Sequence, residues 1–223
     1  MSKLKNFVAI DWRSGADRIY FFLKDNDTYS RYDNGDEKIS GDYPQPIKGR
    51  RDGFDAHARH LRFGFTQTLA GDKDVVWLFF DNGDKPWVCA YDQDKDKVDA
   101  FYNLSNSLWT PILPYFERII AGTWLEALGY KSLFRFLLND GTHLTFDTIK
   151  QQVKHDPTAV LPGLAPYKHR LVTAAQVDPT FSDNLWYIFL TQDQFVTYNM
   201  QKGRVEGGVH NVSGRFAGLT RGL

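Results

Sequence analysis

The 223-residue chain has little cysteine, no excess of charge of either sign and no long hydrophobic run. Its single cysteine, Cys89, excludes an intramolecular disulfide. The 27 Lys and Arg residues balance the 27 Asp and Glu residues. A protein that binds the phosphate backbone of a nucleic acid normally carries an excess of basic residues. Nucleic acid is therefore not the expected partner. No apolar stretch reaches the length of a membrane span.

Targeting and catalytic motifs are also missing. The first residues, MSKLKNFVAIDW, lack the apolar run of a signal peptide, so we expect a cytoplasmic protein or one released without such a signal. The sequence contains no His-Glu-x-x-His, no Gly-x-Ser-x-Gly, no Gly-rich phosphate loop and no paired-cysteine metal site. Cys89 lies between Val88 and Ala90 in a predicted strand, which favours a packing role over nucleophilic chemistry.

Aromatic residues are abundant, at 15% of the chain, and they belong to a pattern that occurs four times. Each copy has an aliphatic residue and an aromatic, an apolar stretch, a turn rich in Asp, Asn or Gly, and a closing aromatic followed by Asp or Asn. This pattern predicts β-hairpins over residues 19–33, 76–92, 133–147 and 185–199. The paired aromatics are Tyr20 and Tyr32, Trp77 and Tyr91, Phe134 and Phe146, and Trp186 and Tyr198.

A short strand with small residues precedes each hairpin, and a further strand follows it. Four strands in each of four units predict an all-β, four-bladed β-propeller with antiparallel blades and short helical connectors. The predicted innermost strands lie at 7–10, 62–65, 119–122 and 172–175, and the predicted fourth strands contain Ile39, Val98, Val153 and Val205. We expect one domain over residues 1–223, with blades at approximately 7–56, 57–116, 117–170 and 171–219.

The repeat resembles that of the hemopexin-like family, in which an Asp-Ala-Ala-Phe strand precedes a Tyr-x-Phe-x-Gly-Asp-x-Tyr-x-Arg-Tyr-Asp hairpin and a Pro-rich helical connector. The hairpin Tyr20–Asp33 is similar to this pattern and ends on Tyr29-Ser30-Arg31-Tyr32-Asp33. The similar connectors are Tyr43–Ile47 with Gly53–Phe54, Leu113–Phe116 and Leu161–Pro166. The resemblance covers the whole chain and is greatest to stand-alone legume seed albumins of the albumin-2 type.

Two departures from the family pattern concern ring closure and metal binding. Secreted members join the first and last blades by a disulfide, so closure here must depend on packing and strand pairing. The family's inner-strand Asp is missing, but the resemblance implies that backbone carbonyls around the tunnel hold a calcium, magnesium or sodium ion. The carbonyls predicted for this role are those of Ala9, Gly64, Ala121 and Ala174.

The resemblance to seed albumins implies a non-enzymatic protein that binds haem or a polyamine such as spermine, near the tunnel mouth or a connector. For a polyamine, Asp11 has to face the cation, and Gln176 is assigned to the same ligand site. His57 and His60 are three residues apart, so one helical turn brings them together, near Arg59 and Arg62, to meet a haem propionate or another anion. An ordinary exposed connector is the alternative for both histidines.

Several other hypotheses stay open. One alternative function is that of a defence or toxin-like protein, and another is that of an enzyme with an aromatic-lined pocket. The sequence also leaves open whether the protein is a monomer or a homodimer. The acidic run Asp92, Asp94, Asp96 and Asp99 resembles the start of a calcium loop but is better interpreted as a solvated turn. The basic residues Lys48, Arg50, Arg51, Arg59 and Arg62 are interpreted as a solvated linker.

Overall fold

The computed structural model describes residues 3–13, 17–50, 53–177, 184–221 and 223, and within these ranges the strands form four antiparallel sheets. The first sheet contains β1 (Phe7–Trp12), β2 (Arg18–Leu23), β3 (Thr28–Asp33), β4 (Lys38–Ile39) and β5 (Gln45–Pro46). The second contains β6 (Leu61–Leu69), β7 (Lys73–Asn82), β8 (Lys85–Asp92) and β9 (Lys97–Asn103). The third contains β10 (Ile119–Trp124), β11 (Leu133–Leu138), β12 (Thr142–Asp147) and β13 (Gln152–Val160). The fourth contains β14 (Leu171–Gln176), β15 (Leu185–Leu190), β16 (Gln194–Asn199) and β17 (Arg204–Asn211).

Each sheet is one blade, and its four main strands follow one another from the centre outwards in chain order, while the additional strand β5 of the first blade pairs with β3. The first strands of the four blades, β1, β6, β10 and β14, contact each other in sequence and close a ring, because β14 also contacts β1. The predicted four-bladed β-propeller is confirmed, including the short innermost strands and the fourth strands.

The connectors contain short helices, most of them of the 3₁₀ type. They lie at 24–26, 58–60, 104–106, 110–118, 126–128 and 165–167, and a single α-helical turn, α1, covers Val212–Arg215. Among the described residues, none of these helices has the length and apolar character needed to cross a membrane.

The first connector, which contains Tyr43–Ile47, begins with an extended segment and ends with a helical turn. Here Gln45–Pro46 is the short strand β5, which pairs with Thr28 and Tyr29 of β3. A residue that precedes proline is pushed towards extended backbone, and both Tyr43 and Gln45 precede a proline. The helical part of this connector, a 3₁₀ turn over Ala58–His60, follows this extended segment.

The register of the hairpins divides the aromatic repeat into two kinds. In blades 3 and 4 the two aromatics of each repeat are cross-strand partners: Phe134 with Phe146, and Trp186 with Tyr198. In blades 1 and 2 an aliphatic residue, Ile19 or Val76, takes the partner position of the closing aromatic. Because successive side chains point to opposite faces of a strand, Tyr20 and Trp77 lie on the face opposite to that of their counterparts.

The Asp or Asn that follows each closing aromatic organises the turn into the fourth strand. The Asp92 carboxylate accepts hydrogen bonds from the backbone N–H groups of Asp94 (3.1 Å) and Lys95 (3.0 Å). Asp33, Asp147 and Asn199 accept equivalent bonds in the other blades. The run that begins at Asp92 is therefore a turn, and among the described residues no group of three His, Cys, Asp or Glu side chains is arranged to hold a metal ion.

Aromatic residues from the connectors fill the wedges between blades. Trp109, which is fully buried, contacts Phe65 and Phe79 of blade 2 and Phe134 and Phe136 of blade 3. Phe216 likewise contacts aromatic rings of both blade 4 and blade 1, at the junction where the ring of blades closes. Cys89 is buried in β8, and burial raises the pKa of its thiol above the usual range, as expected for a packing residue.

Gly64 on β6 lies close to Ile10 of the neighbouring innermost strand, β1. A Cβ atom at this position would stand 2.8 Å from Cδ1 of Ile10 and 2.8 Å from the carbonyl oxygen of Trp77. The backbone oxygen cannot move without breaking the blade, so Gly64→Ala is expected to lower the free energy of unfolding by about 1–3 kcal/mol.

Urea unfolding of the Gly64→Ala variant measures this loss. Gly208→Ala is the control, because a Cβ atom there meets nothing within 4 Å, and its change should stay within about 0.5 kcal/mol. Equal stability of the two variants would show that the inner strands are not tightly packed at Gly64.

Candidate functional site

A cavity of about 710 Å³ lies at the seam between blade 4 and blade 1, and we call it the seam cavity. Blade 4 lines it with Leu185, Tyr187 and Phe195, and the turn that follows β3 in blade 1 lines it with Asn34 and Glu37. Its volume lies within the range of roughly 300–1,000 Å³ that is typical of small-molecule sites.

The apolar wall of the seam cavity follows from strand alternation. Leu185 and Tyr187 are two residues apart on β15, and Phe195 and Thr197 are two apart on β16, where Thr197 is the cross-strand partner of Tyr187. The rings of Tyr187 and Phe195 meet edge to face, with centroids 5.7 Å apart. Both rings pack against Phe216, which holds the wall in place.

A charged edge borders this wall. Cζ of Arg215 lies 5.1 Å from the centroid of the Tyr187 ring, and its Nη2 donates to Oε1 of Glu37 over 3.0 Å. Burial raises the pKa of Tyr187, while the nearby Arg215 acts in the opposite direction. The Glu37 side chain is 65% exposed, so its pairing with Arg215 is weak enough for a ligand anion to displace it.

Two further polar side chains line the seam cavity. The imidazole of His210 on β17 packs against the Phe195 ring at 5.4 Å, and the register of β16 and β17 shifts beside it at Gly207, whose φ is +68°. Both amide atoms of Asn34 are buried without a hydrogen-bond partner among the described residues. Buried amide groups normally have partners, so the Asn34 side chain retains unused hydrogen-bonding capacity at the cavity.

Asp11 and Gln176, both predicted to bind ligand, connect neighbouring innermost strands. The buried Asp11 carboxylate accepts a hydrogen bond from the backbone N–H of Thr66 (3.3 Å) and lies 3.6 Å from Nε of Arg13. Burial raises the pKa of Asp11 to about 6, although Arg13 acts against this rise. Thr123 of β10 donates to Oε1 of Gln176 on β14, so both residues are engaged in joining blades.

His57 and His60 lie close together but in different surroundings. The His57 ring packs against Phe80 (4.7 Å) and Phe101 (5.2 Å), and burial, followed by the neighbouring His60, lowers its pKa. His60 lines a separate cavity at the tunnel mouth together with Arg62. His57 therefore has a packing role in the connector, while His60 lies beside open space.

The four residues predicted to supply tunnel carbonyls are not all in equivalent positions. Ala9, Gly64 and Ala174 occupy the same register position in blades 1, 2 and 4. In blade 3 that position belongs to Gly122, and Ala121 lies one residue earlier, next to an irregularity in the pairing of β10. Binding of calcium, magnesium or sodium by these carbonyls stays a prediction.

The residues of the seam cavity were not identified as a site from the sequence. His210 belongs to no motif that would single it out, and Arg215 and Glu37 are 178 positions apart in the chain. The Gly207-Gly208 pair preceding His210 is a local signal of an irregular strand, but it does not indicate what the strand faces.

No family profile and no curated protein sequence matches this chain. Among solved structures, the hemopexin fold protein CP4 from cow pea matches with a TM-score of 0.66 and 14% identity, covering 96% of this chain and 95% of CP4. Two further structures match at lower TM-scores: a protein of unknown function from Bacteroides thetaiotaomicron (TM-score 0.38, 14% identity, 91% of this chain and 43% of that one) and a luciferin-regenerating enzyme (TM-score 0.42, 10% identity, 95% and 78%). The chain therefore has the hemopexin-like four-bladed propeller fold.

Proposed function

We propose that the chain is a non-enzymatic small-ligand-binding protein that holds a planar, largely apolar anion of the haem type in the seam cavity. The observation that carries this proposal is the combination of an aromatic wall, an imidazole and a guanidinium around one cavity of suitable volume. The site that the sequence suggested, at His57 and His60, combines these features less well because His57 is packed in an aromatic cluster.

The lining of the seam cavity fits the parts of such a ligand. Tyr187 and Phe195, each only 3% exposed, form the buried backing of the apolar wall, and the partly exposed Leu185 lies beside them. The exposed His210 imidazole is the kind of group that ligates haem iron. Arg215 is suited to a carboxylate, because a guanidinium pairs with carboxylates through two parallel hydrogen bonds. A haem propionate would then replace Glu37 as the partner of Arg215.

The resemblance to legume seed albumins supports the same general function, and the cow pea protein shares the fold over nearly its whole length. Spermine, the other ligand implied by that resemblance, is less well supported. Asp11, the carboxylate it was expected to meet, is buried and already paired with Arg13. No specific contact among the described residues favours the defence hypothesis or the enzyme hypothesis. A tunnel cation and a homodimer stay proposals.

Titration with hemin under absorption spectroscopy tests the proposal. We expect saturable binding with a shifted Soret band, and His210→Ala should remove the shift and weaken binding at least about tenfold, since it deletes the iron ligand. His169→Ala is the matched control, because His169 is exposed in a connector away from the cavity.

Three results would contradict the proposal: no saturable spectral change, equal behaviour of the two histidine variants, or loss of the Soret shift in His57→Ala instead. Calorimetric titration with spermine is expected to give no heat. A clear heat of spermine binding would support the polyamine hypothesis against the haem hypothesis.

A further inference from the structure

A second cavity, of about 320 Å³, lies where the innermost strands begin, and we call it the tunnel mouth. Every blade contributes an innermost strand to it: Val8 lies on β1, Arg62 on β6, Ile120 on β10 and Val172 on β14. The tunnel mouth shares no lining residue with the seam cavity. It is therefore an independent place for a ligand.

Positive charge dominates the lining of the tunnel mouth. Four basic side chains, Lys5, Lys24, Arg59 and Arg62, line it, and Asp81 is the carboxylate among its lining residues. Arg59 lies in the connector turn Ala58–His60 with a side chain that is 59% exposed, as expected for a solvated linker, whereas Arg62 lies on β6 and is 26% exposed. Arg51, which belonged to the same basic run, lies outside the described residues.

The basic groups are only partly neutralised by their neighbours. Arg62 lies 3.4 Å from Asp81 and 3.1 Å from the exposed Glu117, while Arg59 pairs with Asp27 through side chains that are both more than half exposed. The Arg59–Asp27 pair is exposed and therefore weak, whereas the Arg62–Asp81 pair is more shielded, with side chains 26% and 35% exposed. An incoming anion of higher charge can compete with the exposed carboxylates of Asp27 and Glu117 for the two guanidinium groups.

Lys24 is the most constrained of these cations. Its Nζ donates to the carbonyl oxygen of Leu61 over 3.1 Å, at the start of β6. Burial lowers the pKa of Lys24 and the positive charge of Arg62 lowers it further, while Asp81 and Asp25 act in the opposite direction. The carboxylates therefore offset only part of the repulsion between the two cations, and an added anion would relieve more of it.

We infer that the tunnel mouth binds a compact multivalent oxyanion of the phosphate class, such as pyrophosphate or the phosphate group of a small ester. Lysine and arginine groups that converge from different elements favour an anion with several oxygens and more than one charge. A singly charged carboxylate would leave most of the positive charge unbalanced. This inference goes beyond the proposed function and does not depend on it.

Calorimetric titration of the full chain with sodium pyrophosphate at low ionic strength tests the inference. We expect one saturable site whose affinity falls as salt is added. Lys24→Gln should weaken binding at least about tenfold, as loss of a charge-assisted contact does. The double variant Lys5→Gln with Arg59→Gln should also bind more weakly, and it guards against misfolding because both side chains are exposed.

The matched control is Lys150→Gln, which removes the same charge from a side chain that is 71% exposed and lies outside the cavity. Its affinity should stay within about twofold of the unmodified protein. His210→Ala should also leave pyrophosphate binding unchanged, which separates this site from the seam cavity. The inference is overturned by an absence of saturable binding, by equal affinity for acetate, or by tunnel-mouth variants that bind as tightly as Lys150→Gln.

Discussion

Phe216→Ala is expected to lower the free energy of unfolding by about 3–5 kcal/mol, the range found for large aromatic side chains removed from a core. Phe216 is fully buried and contacts both sides of the closing seam. It packs edge to face against Phe21 of blade 1 at 5.5 Å and against Phe195 of blade 4 at 5.2 Å. Truncation would leave a cavity at the one junction where the two ends of the ring meet.

The seam depends on this packing because no covalent bond closes the ring. Phe189 of blade 4 also packs across the seam, against Phe7 at 5.7 Å and Phe21 at 5.4 Å. Polar contacts add to this packing: the Asp193 carboxylate accepts the backbone N–H of Lys3 and of Leu4, both at 2.8 Å, and Thr173 accepts the N–H of Ala9 at 3.3 Å. Individual hydrogen bonds contribute about 1 kcal/mol each. A fully buried aromatic ring therefore outweighs any one of these ties.

Urea unfolding combined with hydrogen exchange measures the effect and locates it. Trp109→Ala should cost a similar amount, because Trp109 fills the wedge between blades 2 and 3 in the same way. Only Phe216→Ala should accelerate exchange in β1 and β14 ahead of global unfolding. Ile149→Ala, at a side chain that is 82% exposed, should change stability by less than about 0.5 kcal/mol. A loss no larger than that control would show that the seam does not depend on Phe216.

The propeller fold could be predicted from the sequence because the sequence patterns that indicate it are local. A hairpin needs only an alternation of residues and a turn within about fifteen positions, and four such signals in register identify blades. The pairing register of the hairpin strands could be predicted less well. Tyr20 and Trp77 carry the same aromatic signal as Phe134 and Trp186, yet pairing places them on the other face because Ile19 and Val76 satisfy the core equally well.

The candidate sites could not be predicted from the sequence, because each of them is formed by residues from distant parts of the chain. Glu37 and Arg215 meet only when blade 4 closes onto blade 1, and nothing near either residue indicates the other. At the tunnel mouth Lys5 and Lys24 meet Arg59 and Arg62 across two blades. By contrast, Asp11 was noticed as an acidic residue on an innermost strand, but its neighbours Thr66 and Arg13 give it a structural role.

The buried Asp11 carboxyl gives the fold a distinctive dependence on pH. Its pKa is about 6 in the folded protein, raised by burial against the opposing effect of Arg13, and its ordinary value is 3.8. Between these two values the folded state holds a proton that the unfolded state has released. The stabilisation that results is fully present below pH 3.8 and is lost as the pH rises through about 6. A difference of about two pKa units corresponds to about 3 kcal/mol.

Asp11→Asn isolates this contribution, because the amide still offers an oxygen to the Thr66 N–H but does not titrate. As the pH rises from 4 to 8, the free energy of unfolding of the variant is expected to increase by about 3 kcal/mol relative to that of the unmodified protein. Urea unfolding at a series of pH values measures the difference between the two curves. A difference that stays constant with pH would show that Asp11 titrates in the folded protein as it does in the unfolded chain.

Asp92 provides a control of opposite sign in the same fold. Burial alone would raise the pKa of Asp92, but hydrogen bonds from Lys95 and Lys73 outweigh burial and hold it well below its usual range. Its stabilisation is therefore present above the unfolded pKa and lost on acidification, so Asp92→Asn should be costly at neutral pH and nearly neutral in acid. The two carboxylates differ because the cations at Asp92 donate hydrogen bonds to it directly, whereas Arg13 stands 3.6 Å from Asp11. The change in the free energy of unfolding caused by each substitution should vary with pH, with slopes of opposite sign for the two variants. Such a result would show that the pH response arises from these contacts and not from the net charge of the chain.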